Sequence, residues 1–503
     1  MQMKSEKFLY GVLVFLLIFQ FEYASAHGFG AKADLPIPAY LYWFGGGAAV
    51  VVSFIVISLF VGKSNKINDD YRRYDILKSS WVRKLWKNKI LLYLIKIPPV
   101  GLLFLSVATG LFGSQFPDLN FTPTFVWVIW WVGFSVLHVL VGNIWALVNP
   151  WKTLFEIVGL GRWNGIFEYP KRLGTWPAFA LFFLFVWIEL IFPASANPQS
   201  LAMVILGYSI IALLGMYLFG KNFWLRYGEP FSVFFRFLSM MAPTEVRVKD
   251  MTLCEACKLD CSRNEGLCIN CYECVANASE IELNLRPFAI GLLQERRISF
   301  DQAAFIILML SSVSFDGLIR TLAWYNFIGL DPFAGSERLT VLQINTLGLF
   351  GVFLFFVGIY YAFVYLVKLF SGYKGSPTVL ALTFVLSLLP IAMVYQFAHY
   401  STYLLINGQQ IIILLSDPFG YGWDIFGTKN YTIFRSLDYL AVWNYQVLLI
   451  VTGHMLAVYI AHKIVLRVLG NHKTVIKSQY PIMILMVIYT VVGLWLLSTP
   501  SLG

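Results

Sequence analysis

The chain has 503 residues, 58% of them hydrophobic and only 13% charged, roughly half the charged share of a soluble globular protein. With a mean hydropathy of +0.70, this composition excludes a soluble globular enzyme and indicates an all-α, polytopic integral membrane helical bundle. The formal net charge of +10 raises the question of a nucleic-acid partner, which the placement of the charges answers below.

Lys4 and Lys7 precede the apolar run FLYGVLVFLLIFQF, and ASA at 24–26 is a small-x-small cleavage site. Residues 1–26 therefore read as a secretory signal peptide, with an uncleaved signal anchor as the alternative. Cleavage leaves a mature chain starting at His27, outside the cytoplasm. About ten spans of sufficient apolar length follow, near 39–61, 90–112, 124–148, 176–193, 200–219, 302–322, 341–370, 377–407, 437–462 and 481–498. They divide the chain into a first membrane bundle (27–219, five spans), an inner loop (220–300) and a second bundle (301–503, five spans).

With His27 outside, the first span runs inward and the C-terminus returns to the outside. The inner segments then hold 29 of the Lys and Arg residues and the outer segments five. That asymmetry obeys the positive-inside rule for a multi-pass protein of the inner, or plasma, membrane. The basic charge faces the cytoplasmic leaflet, and no nucleic acid is needed to explain it.

All six cysteines, Cys254, Cys257, Cys261, Cys268, Cys271 and Cys274, fall within 21 positions of the inner loop. A cytoplasmic location keeps thiols reduced and disfavours disulfides. The C-x2-C pairs Cys254/Cys257 and Cys268/Cys271 have the spacing of a four-thiolate zinc site. CINCYEC resembles the start of a bacterial ferredoxin iron–sulfur motif, but Ala278 stands where its fourth cysteine belongs. Zinc, an iron–sulfur cluster, and redox-sensing or unmetallated thiols all remain open at this level.

Ionisable residues inside spans are costly and mark functional interiors. Asp316, Arg320 and His399 lie at similar depth towards the outer face, with Glu189 near the outer end of the fourth span. Asp316 and Arg320 have i,i+4 spacing, and Gln396, His399, Tyr403 and Asn407 form one helical stripe. Each has a bland alternative: a structural ion pair, or a core histidine. His138 and His454 lie deeper, as core histidines or as a pair able to hold haem or copper. His27, as a mature N-terminus, offers an amine and an imidazole to a metal such as copper. The segment 408–436, with glycines, aromatics, Asp417 and Asp424, reads as a lid over the layer of Asp316 and His399.

Several stretches, among them HGFGAKADLPIPAYLY, WWVGFSVLHVLVGNIWALVNPWKTLFE, SSVSFDGL, FAHYSTYLLINGQ, LLSDPFGYGWDIFGT and GHMLAVYIAH, resemble a family of bacterial polytopic membrane proteins labelled fenitrothion hydrolase. The resemblance runs from His27 to the C-terminus. It implies hydrolysis of an organophosphorus triester, a reaction usually assisted by a metal. The polar outer layer itself, not the resemblance, supplies the candidate residues for it: His399, Asp316 and Arg320, with His27 and Asp417 as further candidate metal ligands. H-E-x-x-H and G-x-S-x-G motifs are absent from the chain. Two other functions stay open: a five-plus-five transporter for a small molecule, and a redox or metal-handling protein using the cysteine loop and His138/His454. The lipid bilayer is the partner common to all three.

The charge asymmetry makes a direct prediction. A membrane-impermeant thiol reagent will leave the six cysteines unlabelled in intact cells and label them in inverted vesicles after metal removal. Labelling from outside intact cells would reverse the orientation and reopen the disulfide reading.

Overall fold

The computed structural model describes residues 37–60, 71–257, 259, 262–264, 267–294, 298–331, 338–434, 438–469 and 472–499. The expected signal peptide, His27 and Cys261 lie outside the described residues.

The helices are taken in chain order. α1 (Ala39–Phe60) is followed by α2 (Lys89–Phe112), which starts where the Asn88 side chain accepts the Ile90 and Leu91 amides. α3 (Phe121–Leu140) is π-wound from Thr124 to Gly133. It stops just before Gly142, whose φ of +131° suits glycine and brings the backbone against Thr244. α4 (Trp176–Leu190) has 15 residues, and α5 (Pro198–Phe219) opens on an Asn197 cap with proline in its first turn, where proline is preorganised. α6 (Pro230–Ser239) follows. Next come α7 (Met251–Ala256) and α8 (Tyr272–Asn277) within the cysteine segment. α9 (Phe300–Ile319) starts with a capping box of Ser299 and Gln302. α10 (Arg338–Ser371), α11 (Pro377–Asn407), the short α12 (Gln410–Ser416), α13 (Tyr439–Leu469) and α14 (His472–Ser498) complete the chain.

Among the described residues, nine helices are long and apolar enough to cross a membrane, and α4 is a shorter apolar helix. The fold is therefore a helical membrane bundle, as the composition indicates. Side chains such as Ile90, Leu94, Ile97 and Phe104 of α2 are exposed on its outer surface, which suits contact with lipid acyl chains.

The segment 220–300 is more structured than a loop. α6 carries five buried phenylalanine and leucine side chains, including Phe231, Phe234 and Phe235, and it packs on α3 and α4. At ten residues it is too short to span and serves as an internal strut. Beyond it lies a five-stranded antiparallel sheet of β1 (Tyr74–Asp75), β2 (Thr244–Val248), β3 (Ser262–Asn264), β4 (Leu267–Ile269) and β5 (Ile281–Leu285), in the order β1-β5-β2-β4-β3. The sheet and the cysteines sit at one end of the bundle; the α2–α3 and α11–α13 connections lie at the other, here called the far end.

Packing does not follow the halves of the sequence. α1 lies against α13 and α14, while α2 packs on α5 and α3 on α6. The helices thus form two groups, α2–α6 on one side and α1 with α9–α14 on the other. They meet where α4 packs on α9 and α3 on α11.

Close approach inside the second group depends on small residues, as is common in membranes. A Cβ on Gly453 of α13 would sit 2.3 Å from Val394 Cγ2 of α11, and a β-branched side chain has little freedom to withdraw. Gly453→Ala is expected to lower stability in detergent by about 1–3 kcal/mol, read as a reduced Tm. Gly358→Ala, at a helix position with open space around it, will leave Tm unchanged.

Candidate functional site

Two constellations stand out, one at each end of the bundle. At the far end Asp316, in the last turn of α9, is 1% exposed. His399 of α11 donates Nε2–H to its Oδ2 over 2.7 Å, and the Tyr400 hydroxyl lies 2.7 Å from the same oxygen. Arg320 approaches Oδ1 to 3.2 Å in the i,i+4 pair expected from the spacing. The Tyr400 hydroxyl also lies 3.1 Å from Glu189 Oε1 of α4, and that oxygen accepts Trp131 Nε1–H of α3 over 2.7 Å.

The structure therefore brings together Asp316, Arg320 and His399, and joins Glu189 to them through Tyr400. One hydroxyl hydrogen lies between two carboxylates. The centre is drawn from both helix groups: Trp131 and Glu189 from one, Asp316, Arg320, His399 and Tyr400 from the other. It is not fully enclosed, since the Arg320 side chain is 55% and the His399 side chain 20% exposed.

The deeper histidines are placed differently. His138 donates Nδ1–H to the Phe134 carbonyl (2.7 Å) and accepts the Trp145 amide at Nε2 (2.9 Å). Its ring stacks on Phe235 with centroids 4.0 Å apart. Both nitrogens are committed to backbone, which leaves no lone pair for haem or copper and explains how α3 ends. His454 bonds the Ile450 carbonyl through Nδ1 (2.8 Å), and its Nε2 is buried beside Tyr489.

Of the segment expected as a lid, residues 408–434 are described. They dock on the α2–α3 connection, where Phe419 and Pro418 carbonyls accept the Ser114 and Phe121 amides and Gln410 donates to the Asp118 carbonyl. Asp417 is spent on the loop itself, accepting the Tyr421 and Gly422 amides.

At the other end, five cysteines converge. Cys254, Cys268, Cys271 and Cys274 are buried and Cys257 is partly so. The Sγ atoms of Cys254, Cys268 and Cys274 lie within 4.8 Å of one another, as do those of Cys257, Cys271 and Cys274. Either triad can hold a metal ion. Burial, and then the neighbouring sulfurs of Cys271 and Cys257, push the Cys274 thiol well above its ordinary range. Such crowding is unfavourable for bare thiolates and is relieved by a cation. The surrounding apolar core is small, with Val248, Val275, Ala278 and Ile281 as its main hydrocarbon, and domains with so little core commonly rely on a metal.

Between the cysteine domain and the helices lies a buried ion cluster that the sequence did not single out. Glu245 of β2 pairs with Arg286 (2.8 Å) and with Arg247, and bonds Tyr71 and Gln294. Arg286 also donates to the Ala242 and Met240 carbonyls beyond α6. The alternation in TEVRV and IELNL is a strand signal that could have revealed the sheet; the charge pairing across it could not be read locally.

An apolar cavity of about 490 Å³ lies among α2–α5, lined by Trp127, Trp130, Trp145, Trp151, Phe185 and Tyr208. No protein-family model, curated protein or solved structure matches the chain, so these geometries carry the functional argument.

Burial would raise the Glu245 carboxyl, but Arg286, with Tyr71 and Arg247, outweighs it and holds the group below the usual carboxylate range. A carboxyl lowered on folding stabilises fully above its unfolded value, and that stability is lost as pH falls through the folded value. Docking of the cysteine domain should therefore be flat from neutrality to about pH 5 and weaken below about pH 4, measured by protease access to residues 244–294. Glu245→Gln removes that acid step and costs roughly 3–5 kcal/mol at neutral pH, because both arginines stay buried with a neutral partner.

Proposed function

We propose that this protein is a multi-pass transporter of the bacterial inner membrane, in which proton transfer at the Asp316–His399–Tyr400–Glu189 centre is coupled to movement of a small solute. In this reading the cysteine domain faces the cytoplasm and holds zinc as a structural ion. The observation that carries the transport reading is the position of Tyr400, whose one hydroxyl proton bridges a carboxylate from each helix group. A proton moved between Glu189 and Asp316 passes through it, and separating the groups breaks the relay. Transporters commonly work by rocking one helix group against another around such a site, and buried membrane carboxylates are characteristic of proton relays.

Zinc is supported by sulfur spacing. Cys268 and Cys274 Sγ lie 3.8 Å apart, and two thiolates on the same tetrahedral zinc, each at about 2.3 Å, are separated by an edge of about 3.8 Å. In an iron–sulfur cubane each thiolate serves a different iron, and the sulfurs spread further apart.

A second reading, hydrolysis of an organophosphorus triester, rests on the resemblance and on one feature. The Asp316–His399 pair orients an imidazole that is partly exposed, and such a pair can draw a proton from water. The metal-assisted version finds less support, because among the described residues groups of three convergent metal donors occur only in the cysteine domain.

Both readings are tested on one preparation of purified protein. In proteoliposomes carrying an internal pH dye, an imposed membrane potential should drive proton entry in the wild type. The rate should fall by about 100-fold in His399→Gln, which keeps hydrogen bonding but removes the imidazole as a proton carrier. In parallel, fenitrothion is supplied and nitrophenolate release is followed optically. Release without proton flux favours the hydrolase, and proton flux equal in wild type and His399→Gln removes the centre from either mechanism.

A further inference from the structure

We infer that the cysteine domain holds two metal ions that share the sulfur of Cys274. This rests on the zinc reading above and goes beyond it in stoichiometry and ligand assignment. The spacing of the motif suggests that each C-x2-C pair grips one ion and that two pairs close a single tetrahedral site. The fold distributes the sulfurs differently. Cys254 lies in α7 and Cys257 caps that helix's C-terminal end, so the two thiols of the first pair point to different neighbours. Cys254 joins Cys268 of β4, whereas Cys257 joins Cys271, the residue preceding α8. The second pair, Cys268 and Cys271, is split in the same way.

The result is two triangles of sulfur with one vertex in common. Cys254, Cys268 and Cys274 form the first; Cys257, Cys271 and Cys274 form the second. Among the described residues no four sulfurs lie mutually within that distance, so one tetrahedral ion does not gather four of them. Placing one ion in each triangle uses every described cysteine, with three thiolates per ion. A thiolate sulfur has enough lone pairs to bind two cations at once. Cys274 is the residue placed for this: it is buried in the first turn of α8, between the other four.

Charge supports the arrangement. Five thiolates against two divalent ions leave about one net negative charge, whereas a single ion would leave the remaining thiols to stay protonated, or to be buried as uncompensated anions. The bridge also explains a fold detail. β4 and α7 are short elements with little hydrocarbon of their own, and a shared sulfur ties them and α8 to one point.

The test is metal stoichiometry of the full-length protein purified anaerobically in detergent, by elemental mass spectrometry. Two zinc ions per chain are expected. Cys254→Ser and Cys257→Ser should each retain one, and Cys274→Ser should fall below one because both ions lose a ligand. Cobalt(II) titration of the metal-stripped wild type gives a second reading that does not depend on any variant folding. The paramagnetic resonance signal should rise to one equivalent and fall on addition of the second, as the two ions couple through the shared sulfur. One zinc per chain, or a cobalt signal rising linearly to two equivalents, overturns the shared thiolate and leaves zinc itself standing. Iron with inorganic sulfide, or no metal, overturns both.

Discussion

A carboxylate in the low-dielectric interior of a helical bundle must be paired and hydrogen-bonded, or its burial costs more than the fold can supply. Asp316 meets that condition through His399, Tyr400 and Arg320, and meeting it decides how four helices come together. α9 supplies the carboxylate and the arginine, α11 supplies the imidazole and the phenol, and the phenol reaches on to Glu189 of α4, which Trp131 of α3 holds in turn. Each partner comes with the rotational setting of its helix, because neighbouring residues on α11 point at the same oxygen only when one face is turned to α9. The apolar surfaces of these helices could pack in several rotations, since lipid and leucine are nearly equivalent surroundings. The polar centre selects one.

Much of this could be read in advance. Spans are local properties of 20-residue windows, and most of their limits moved little, but the third span ends at Leu140 rather than at 148, α13 runs on to Leu469 and α14 starts already at His472. Depth could also be read, since the rise per residue is constant in a helix; hence Asp316, Arg320 and His399 were expected in one layer and are found in contact. Tyr400 was hidden. It is one of several tyrosines in an aromatic stretch, and its importance depends on the rotation of α11 against α4, which no local pattern encodes. α6 was missed for a different reason: ten residues rich in phenylalanine fall below the length that registers as a span and were absorbed into the inner loop. The far-end segment expected as a lid was legible in its glycines and aromatics, but its docking was not, because the backbone amides that hold Pro418 and Phe419 belong to the α2–α3 connection.

The cysteine segment shows where motif spacing loses its force. C-x2-C brings two thiols near each other when a tight turn joins them. Here the first pair straddles the end of α7 and the second the passage from β4 to α8, so each turn is replaced by the edge of an element. Sequence distance then no longer measures sulfur distance. Cys268 and Cys274, six positions apart, approach to 3.8 Å, while both pairs divide between triads.

The two ends of the bundle are joined by continuous packing. Arg286 of the sheet domain is held by Glu245 and donates to the Met240 and Ala242 carbonyls, which directly follow α6. α6 in turn presses Phe234 against Trp131, ring centroids 4.9 Å apart, and Phe231 against Trp130 at 4.6 Å. Trp131 is the residue that donates to Glu189. A strut of ten residues therefore has the ion cluster anchoring its C-terminal end and the support of the far-end centre along its side. α6 is too short to be held by lipid burial alone, and its placement depends on those contacts. The ionic seat beneath the cysteine domain consequently sets the packing face on which Trp131, and with it Glu189, is positioned.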